Sequence, residues 1–113
     1  MTTPKFNCWA DIPTDFEGKC LCQKYPNVWE TCWFKKNKLF HRVDGPAIIT
    51  EQNRVLNWYQ NGVRHRLDGP AIEYAWGYKS YYINGKEYTI SEYIKNPLTI
   101  NFLLKSILDL DNP

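Results

Sequence analysis

Histidine and serine are scarce: the 113 residues hold two His and three Ser. Ser80, Ser91 and Ser106 sit in no nucleophile elbow and beside no His, and no cluster of His has metal-ligand spacing. Glycine-rich phosphate loops are missing too. The chain is therefore expected not to be an enzyme. Nor is charge of one sign in excess. Fourteen basic against 12 acidic residues leave a formal +2, too little for a dedicated binder of nucleic-acid phosphates. No apolar run approaches the roughly 18 residues of a membrane span, and no secretory h-region opens the sequence. The expected address is cytoplasmic, in the host cell, with no membrane partner.

What is abundant is aromatic surface, with 5 Trp and 8 Tyr. The chain also repeats itself. The stretch from Phe34 to Ile48 returns from Trp58 to Ile72, and each copy contains His-Arg-x-Asp-Gly-Pro-Ala-Ile (His41 to Ile48, His65 to Ile72). A truncated third copy begins at Tyr81-Tyr82-Ile83-Asn84-Gly85 and stops before any His-Arg pair. Asn61-Gly62 and Asn84-Gly85 favour two-residue type I′ hairpins. The first copy has Asn37-Lys38 instead; Lys disfavours positive φ, so a looser turn or one of another type is expected there. Asp44-Gly45-Pro46 and Asp68-Gly69-Pro70 supply a second turn in each copy. Segments 54–60, 63–66, 78–83 and 86–88 read as strands, and 47–50 and 71–74 as the strands leaving the second turn.

After the repeats, Thr89-Ile90-Ser91-Glu92 has the form of a capping box for a short helix to about Lys95. Asn96-Pro97 then starts a second helix over Leu98–Leu110. Its stripe of Ile100, Leu103, Leu104, Ile107 and Leu108 is expected to cover one face of the sheet. The competing reading is a helix for dimerisation or a partner. Residues 1–27, broken by Pro4, Pro13 and Pro26, read as an irregular arm that packs Phe6, Trp9 and Phe16 on the sheet. The expected fold is a single α+β domain. An antiparallel β-meander of about two and a half repeats spans 28–88, with C-terminal helices over 89–113 and an irregular N-terminal arm over 1–27.

Cys8, Cys20, Cys22 and Cys32 crowd into the first third of the chain. Four thiolates suit one structural zinc, but Cys20-x-Cys22 is tighter than the usual knuckle. Disulfides need an oxidising compartment. Free, mostly buried thiols are the leading expectation, with structural zinc on all four Cys as the alternative and no other cofactor.

The repeat resembles a family of short tandem repeats, Trp-Tyr-x-Asn-Gly-x-x-His-Arg-x-Asp-Gly-Pro-Ala, found in large bacteriophages and some bacteria, and it is loosely similar to MORN-type repeats. The resemblance covers about Phe34–Tyr88 and implies a β-repeat fold and a phage context; it implies no activity. Features shared by both copies belong to the construction of the repeat, so partner binding is expected where the copies differ. Those positions are Lys35, Lys36 and Lys38 at one hairpin tip, and Trp76 and Tyr78 at another turn. The leading expectation is a phage-encoded protein that binds a host protein stoichiometrically, as an inhibitor of host defence. The alternative is a sponge for a small nucleotide-type anion, held by His41, Arg42, His65 and Arg66 and stacked on Trp58, Tyr59, Tyr81 and Tyr82. A structural or virion-associated module is the third reading. Nucleic acid is the least favoured partner, and an oligomer is compatible with all three.

Overall fold

Asn61-Gly62 and Asn84-Gly85 reverse the chain with both residues at positive φ (53° and 82°, 49° and 85°), the requirement of a type I′ turn. The first hairpin is built differently. Lys35 pairs with Leu39 across a three-residue loop in which Asn37 and Lys38 both have positive φ. That extra residue shifts the correspondence between copies: Trp33, not Phe34, occupies the place of Trp58, and Phe34 that of Tyr59.

The computed structural model describes residues 2–52 and 54–110. In chain order it contains β1 (Lys5–Phe6), a 3-10 turn (Trp9–Asp11), β2 (Gly18–Tyr25), β3 (Val28–Lys35), β4 (Leu39–Phe40), β5 (Ile48–Thr50) and β6 (Val55–Asn57). Then follow β7 (Tyr59–Gln60), β8 (Val63–Arg64), β9 (Ile72–Glu73), β10 (Lys79–Ile83), β11 (Lys86–Tyr88), α1 (Ile90–Ile94) and α2 (Pro97–Leu110). The fold is α+β. Among the described residues, one nine-stranded sheet runs β1-β2-β3-β5-β6-β9-β10-β11 with β4 beside β3, and β7 and β8 form a separate ribbon. All pairings are antiparallel except β1 on β2.

The irregular arm expected over 1–27 holds only in part. Gly18–Tyr25 is a full strand, paired with β3 from Gly18↔Phe34 to Tyr25↔Val28. Pro26-Asn27, with Asn27 at φ 65°, makes the tight turn between them; Pro then Asn suits a turn that needs positive φ at its second central residue. Direct pairing of Cys20 with Cys32, and of Cys32 with Ile48, puts these side chains on one face. Together with Cys22, Phe34 and Ile12 they form the core cluster, and Phe6, Phe16, Phe40 and Tyr59 pack against it. Lys5–Phe6 adds a short parallel strand beside β2. Phe6 meets Phe16 edge-on at 5.4 Å, and Trp9 lies 5.6 Å from both Phe34 and Phe40.

At the other end, Thr89 and Glu92 form the reciprocal capping box. The Asn96 side chain accepts the Leu98 N–H at 2.9 Å, starting α2. Tyr93, 4% exposed, plugs the last repeat. Its ring packs on Tyr81 at 4.8 Å, and its single hydroxyl proton is shared between the Gly69 and Arg66 carbonyls. The expectation that α2 covers the sheet is overturned. Ile100, Leu103, Leu104, Ile107 and Leu108 are 42–61% exposed. Only Thr99, bonded to the Tyr93 and Asn96 carbonyls, is buried among the described α2 side chains.

Candidate functional site

The invariant residues of the repeat serve as struts. Arg42 lies with its guanidinium carbon 3.8 Å from the Trp33 ring centre. Its Nε donates to Asp44 at 2.9 Å and its Nη1 to the Pro46 carbonyl at 3.1 Å. Arg66 reproduces each contact on Trp58 (3.9 Å), Asp68 (2.9 Å) and the Pro70 carbonyl (3.0 Å). It adds Glu73 at 3.3 Å. The bond from Arg42 holds the exposed Asp44 carboxyl below its usual range. A Cβ on Gly45 would stand 2.8 Å from Arg42 Cζ, and one on Gly69 2.8 Å from Arg66 Cζ, so either guanidinium would have to shift.

The histidines join one hairpin to the next. His41 Nδ1 accepts the Asn61 N–H at 3.0 Å, and His65 Nδ1 accepts the Asn84 N–H at 2.9 Å. A nitrogen that accepts carries no proton, so this bond requires the neutral ring. Burial pushes the His65 pKa down from its ordinary value. Backbone bonds run in parallel, from Arg42 N to the Tyr59 carbonyl and from Arg66 N to the Tyr82 carbonyl, both at 3.1 Å.

These bonds engage the groups assigned to a nucleotide. The Trp58 ring lies beneath Arg66, and Tyr81 packs on Tyr93. Tyr59 and Tyr82 flank Arg64, whose guanidinium carbon is 5.4 Å from each ring. The basic tip is also partly engaged: Lys35 Nζ donates to Asn61 Oδ1, and Lys38 Nζ donates to the Trp9 carbonyl at 3.1 Å while lying 5.5 Å from that ring. Lys36 is exposed.

Trp76 and Tyr78 lie at the opposite end of the strands from the Lys tip. Antiparallel registry of β3, β5, β6 and β9 gathers the turn at 26–27, the β5–β6 connection and the turn at 74–78 at that end. The Gln52 side chain bridges two of them by donating to the Asn27 carbonyl at 3.0 Å. The 74–78 turn is closed by Tyr74 N–H to the Tyr78 carbonyl (3.0 Å) and Gly77 N–H to the Tyr74 carbonyl (2.9 Å). Gly77 has φ 100°, which a side chain would strain. Trp76 stacks on Tyr74 with ring centres 4.5 Å apart, and Tyr78 lies 5.5 Å from the same ring. Trp76 is nonetheless 72% exposed. Two clefts meet at Tyr74. One, of about 490 Å³, is lined by Lys24, Asn57, Arg64 and Trp76; the other, of about 520 Å³, by Glu51, Arg54 and Glu73. Tyr74, Lys24 and Arg64 were not expected here from sequence. The alternation Tyr74-x-Trp76-x-Tyr78 was the available signal for Tyr74; nothing local marked the other two.

Three of the four Cys share the core cluster, and the fourth lies in the N-terminal arm. Cys20, Cys22 and Cys32 are buried in the core and Cys8 is exposed; all four are free thiols. Burial raises the Cys20 thiol to about 11 and pushes Cys22 and Cys32 upward as well. Among the described residues no three His, Cys, Asp or Glu are grouped to hold a metal ion, and no helix is long and apolar enough to cross a membrane. Compared with protein-family models, with curated proteins and with solved structures, the chain has no significant match.

Proposed function

We propose that this chain is a non-enzymatic binding domain, a meander of about two and a half antiparallel β-repeats of the phage and bacterial type. In this reading it binds a host protein stoichiometrically and thereby inhibits host defence. The observation that carries it is Trp76, a large ring left open to solvent yet fixed by the Tyr74 stack and a closed turn. A pre-ordered aromatic loses little conformational freedom on binding and is the commonest kind of interface anchor. Arg64 beside it adds positive charge for an acidic rim on the partner, while Lys24 pairs with Glu30 at 3.8 Å. Lys36 is a second contact point at the far end.

The nucleotide-sponge reading is disfavoured because Arg42, Arg66 and the Trp58 face already have protein partners. Using them for a ligand would first break the frame. Affinity capture from bacterial lysate tests the proposal. A discrete protein is expected with wild type, and less of it with Trp76→Ala. Mass spectrometry of the supernatant after heat denaturation runs beside it. A released nucleotide with no captured protein would replace this reading with the sponge. Neither product would leave the structural or virion-associated module.

A further inference from the structure

In its second copy the repeat puts a guanidinium where the first copy has a phenyl ring. Phe40 pairs across its hairpin with Phe34, and Arg64 pairs with Tyr59 in the equivalent place. The surroundings match as well. Phe40 stacks on Phe34 at 4.8 Å and lies 5.2 Å from Tyr59 of the next hairpin. Arg64 lies 5.4 Å from Tyr59 and 5.4 Å from Tyr82 of the next hairpin. Phe40 packs against the core cluster, so a ring at position 64 would continue one aromatic row. The chain carries a permanent charge there instead.

That charge is poorly matched within the protein. Arg64 Nε reaches Asn57 Oδ1 at 3.4 Å, at the limit of a hydrogen bond. Among the described residues its Nη nitrogens have no acceptor and it makes no ion pair. Arg42 and Arg66, by contrast, each meet an aspartate and a carbonyl. A half-buried cation without a counter-charge costs stability, and local losses of this kind gather at functional positions. Arg64 lines the cleft of about 490 Å³ that Trp76, Lys24 and Thr50 also line. Glu30 lies beside it, accepting from Thr50 at 2.7 Å and standing 3.8 Å from Lys24. Glu30 offsets Lys24, so the net positive charge of the cleft is that of Arg64. One cation on a planar fork of donors matches a planar monoanion, a carboxylate, better than a phosphate dianion.

We propose that this cleft is a carboxylate-binding site: Arg64 takes the side-chain carboxylate of an Asp or Glu, and Trp76 covers an apolar residue beside it in the same segment. The proposal rests on the host-protein reading of the Trp76 turn and names what that partner presents.

NMR titration of the isotope-labelled full chain with the blocked peptide Gly-Leu-Glu-Leu-Gly, and with its Gln counterpart, tests it. The Arg64 Nε–H signal is expected to move and saturate with the Glu peptide, and the Gln peptide to bind at least about 10-fold more weakly. Arg64→Phe restores the ring of the first copy; it should abolish that preference while its Tm is no lower than that of wild type. Should Arg64→Phe not fold, Arg64→Gln is expected to abolish the preference in its place. An unmoved signal, equal affinity for the two peptides, or a preference that survives the loss of Arg64 overturns the proposal. So does inorganic phosphate that saturates the signal at a lower concentration than the Glu peptide. Capture from lysate separates this site from the reading beneath it. A host protein lost with Trp76→Ala but retained in full by Arg64→Phe sinks the carboxylate site alone. A Glu preference with no captured protein supports the site and sinks the host-protein reading alone.

Discussion

Replacing Gly45 by Ala adds one methyl group at the most crowded point of the repeat. The new Cβ would lie 2.8 Å from Arg42 Cζ, closer than real contacts allow, so the guanidinium must move. It is held by the Pro46 carbonyl at 3.1 Å and by the Trp33 face at 3.8 Å. A hydrogen bond from a charged donor contributes about 1.5–3 kcal/mol, and a cation over a ring about 0.5–1 kcal/mol at a partly exposed site. Asp44 is solvent-exposed and is left out of the sum. Partial loss of the two contacts gives about 2 kcal/mol, or a fall in Tm on the order of 8 °C. Chemical denaturation of four proteins (wild type, Gly45→Ala, Arg42→Ala and the double variant) isolates the cause. With Arg42 absent the three atoms nearest the methyl are gone, and Gly45→Ala should cost less than about 0.5 kcal/mol. Equal cost in both backgrounds would refute the strut, because the penalty would then come from the backbone of the turn.

Two further outcomes follow from buried titratable groups. The folded His65 pKa lies below the ordinary 6.5, so below that pH the unfolded chain binds more protons than the native one. Its contribution is complete above about pH 6.5 and is lost as pH falls toward the folded value. An NMR titration should place His65 under 6.5, and His65→Gln should flatten the acid side of the Tm profile; an unchanged slope would count against the burial of His65. Thiol labelling at neutral pH should find Cys8 reacting first, with Cys20, Cys22 and Cys32 reacting only on unfolding, since burial disfavours their thiolates. Uniform labelling of all four would contradict the packed core.

Legibility in the sequence follows the range of the interaction concerned. Asn61-Gly62, Asn84-Gly85 and the Thr89–Glu92 box carry their geometry within a few residues, and each forms as expected. Gly18–Tyr25 lacks β-branched residues, and its strand character comes from its long pairing with β3, a tertiary effect that local propensity does not encode. The stripe on α2 announced an apolar face correctly, but periodicity does not say whether that face meets the sheet. At the candidate site, Trp76 and Tyr78 were visible as rings in a turn. The engagement of Lys35 by Asn61 and of Lys38 by the Trp9 carbonyl was not, because those partners are 26 and 29 residues away.

The division between an internally bonded frame and a presented Trp76 turn is tested most directly by one comparison. Titration calorimetry of the captured host protein should give one site per chain for wild type. For Trp76→Ala it should show binding about 30-fold weaker, the loss of a single hot-spot residue, with Tm within about 2 °C of wild type because the exposed ring supports little of the fold. Equal affinity for both proteins would contradict the account.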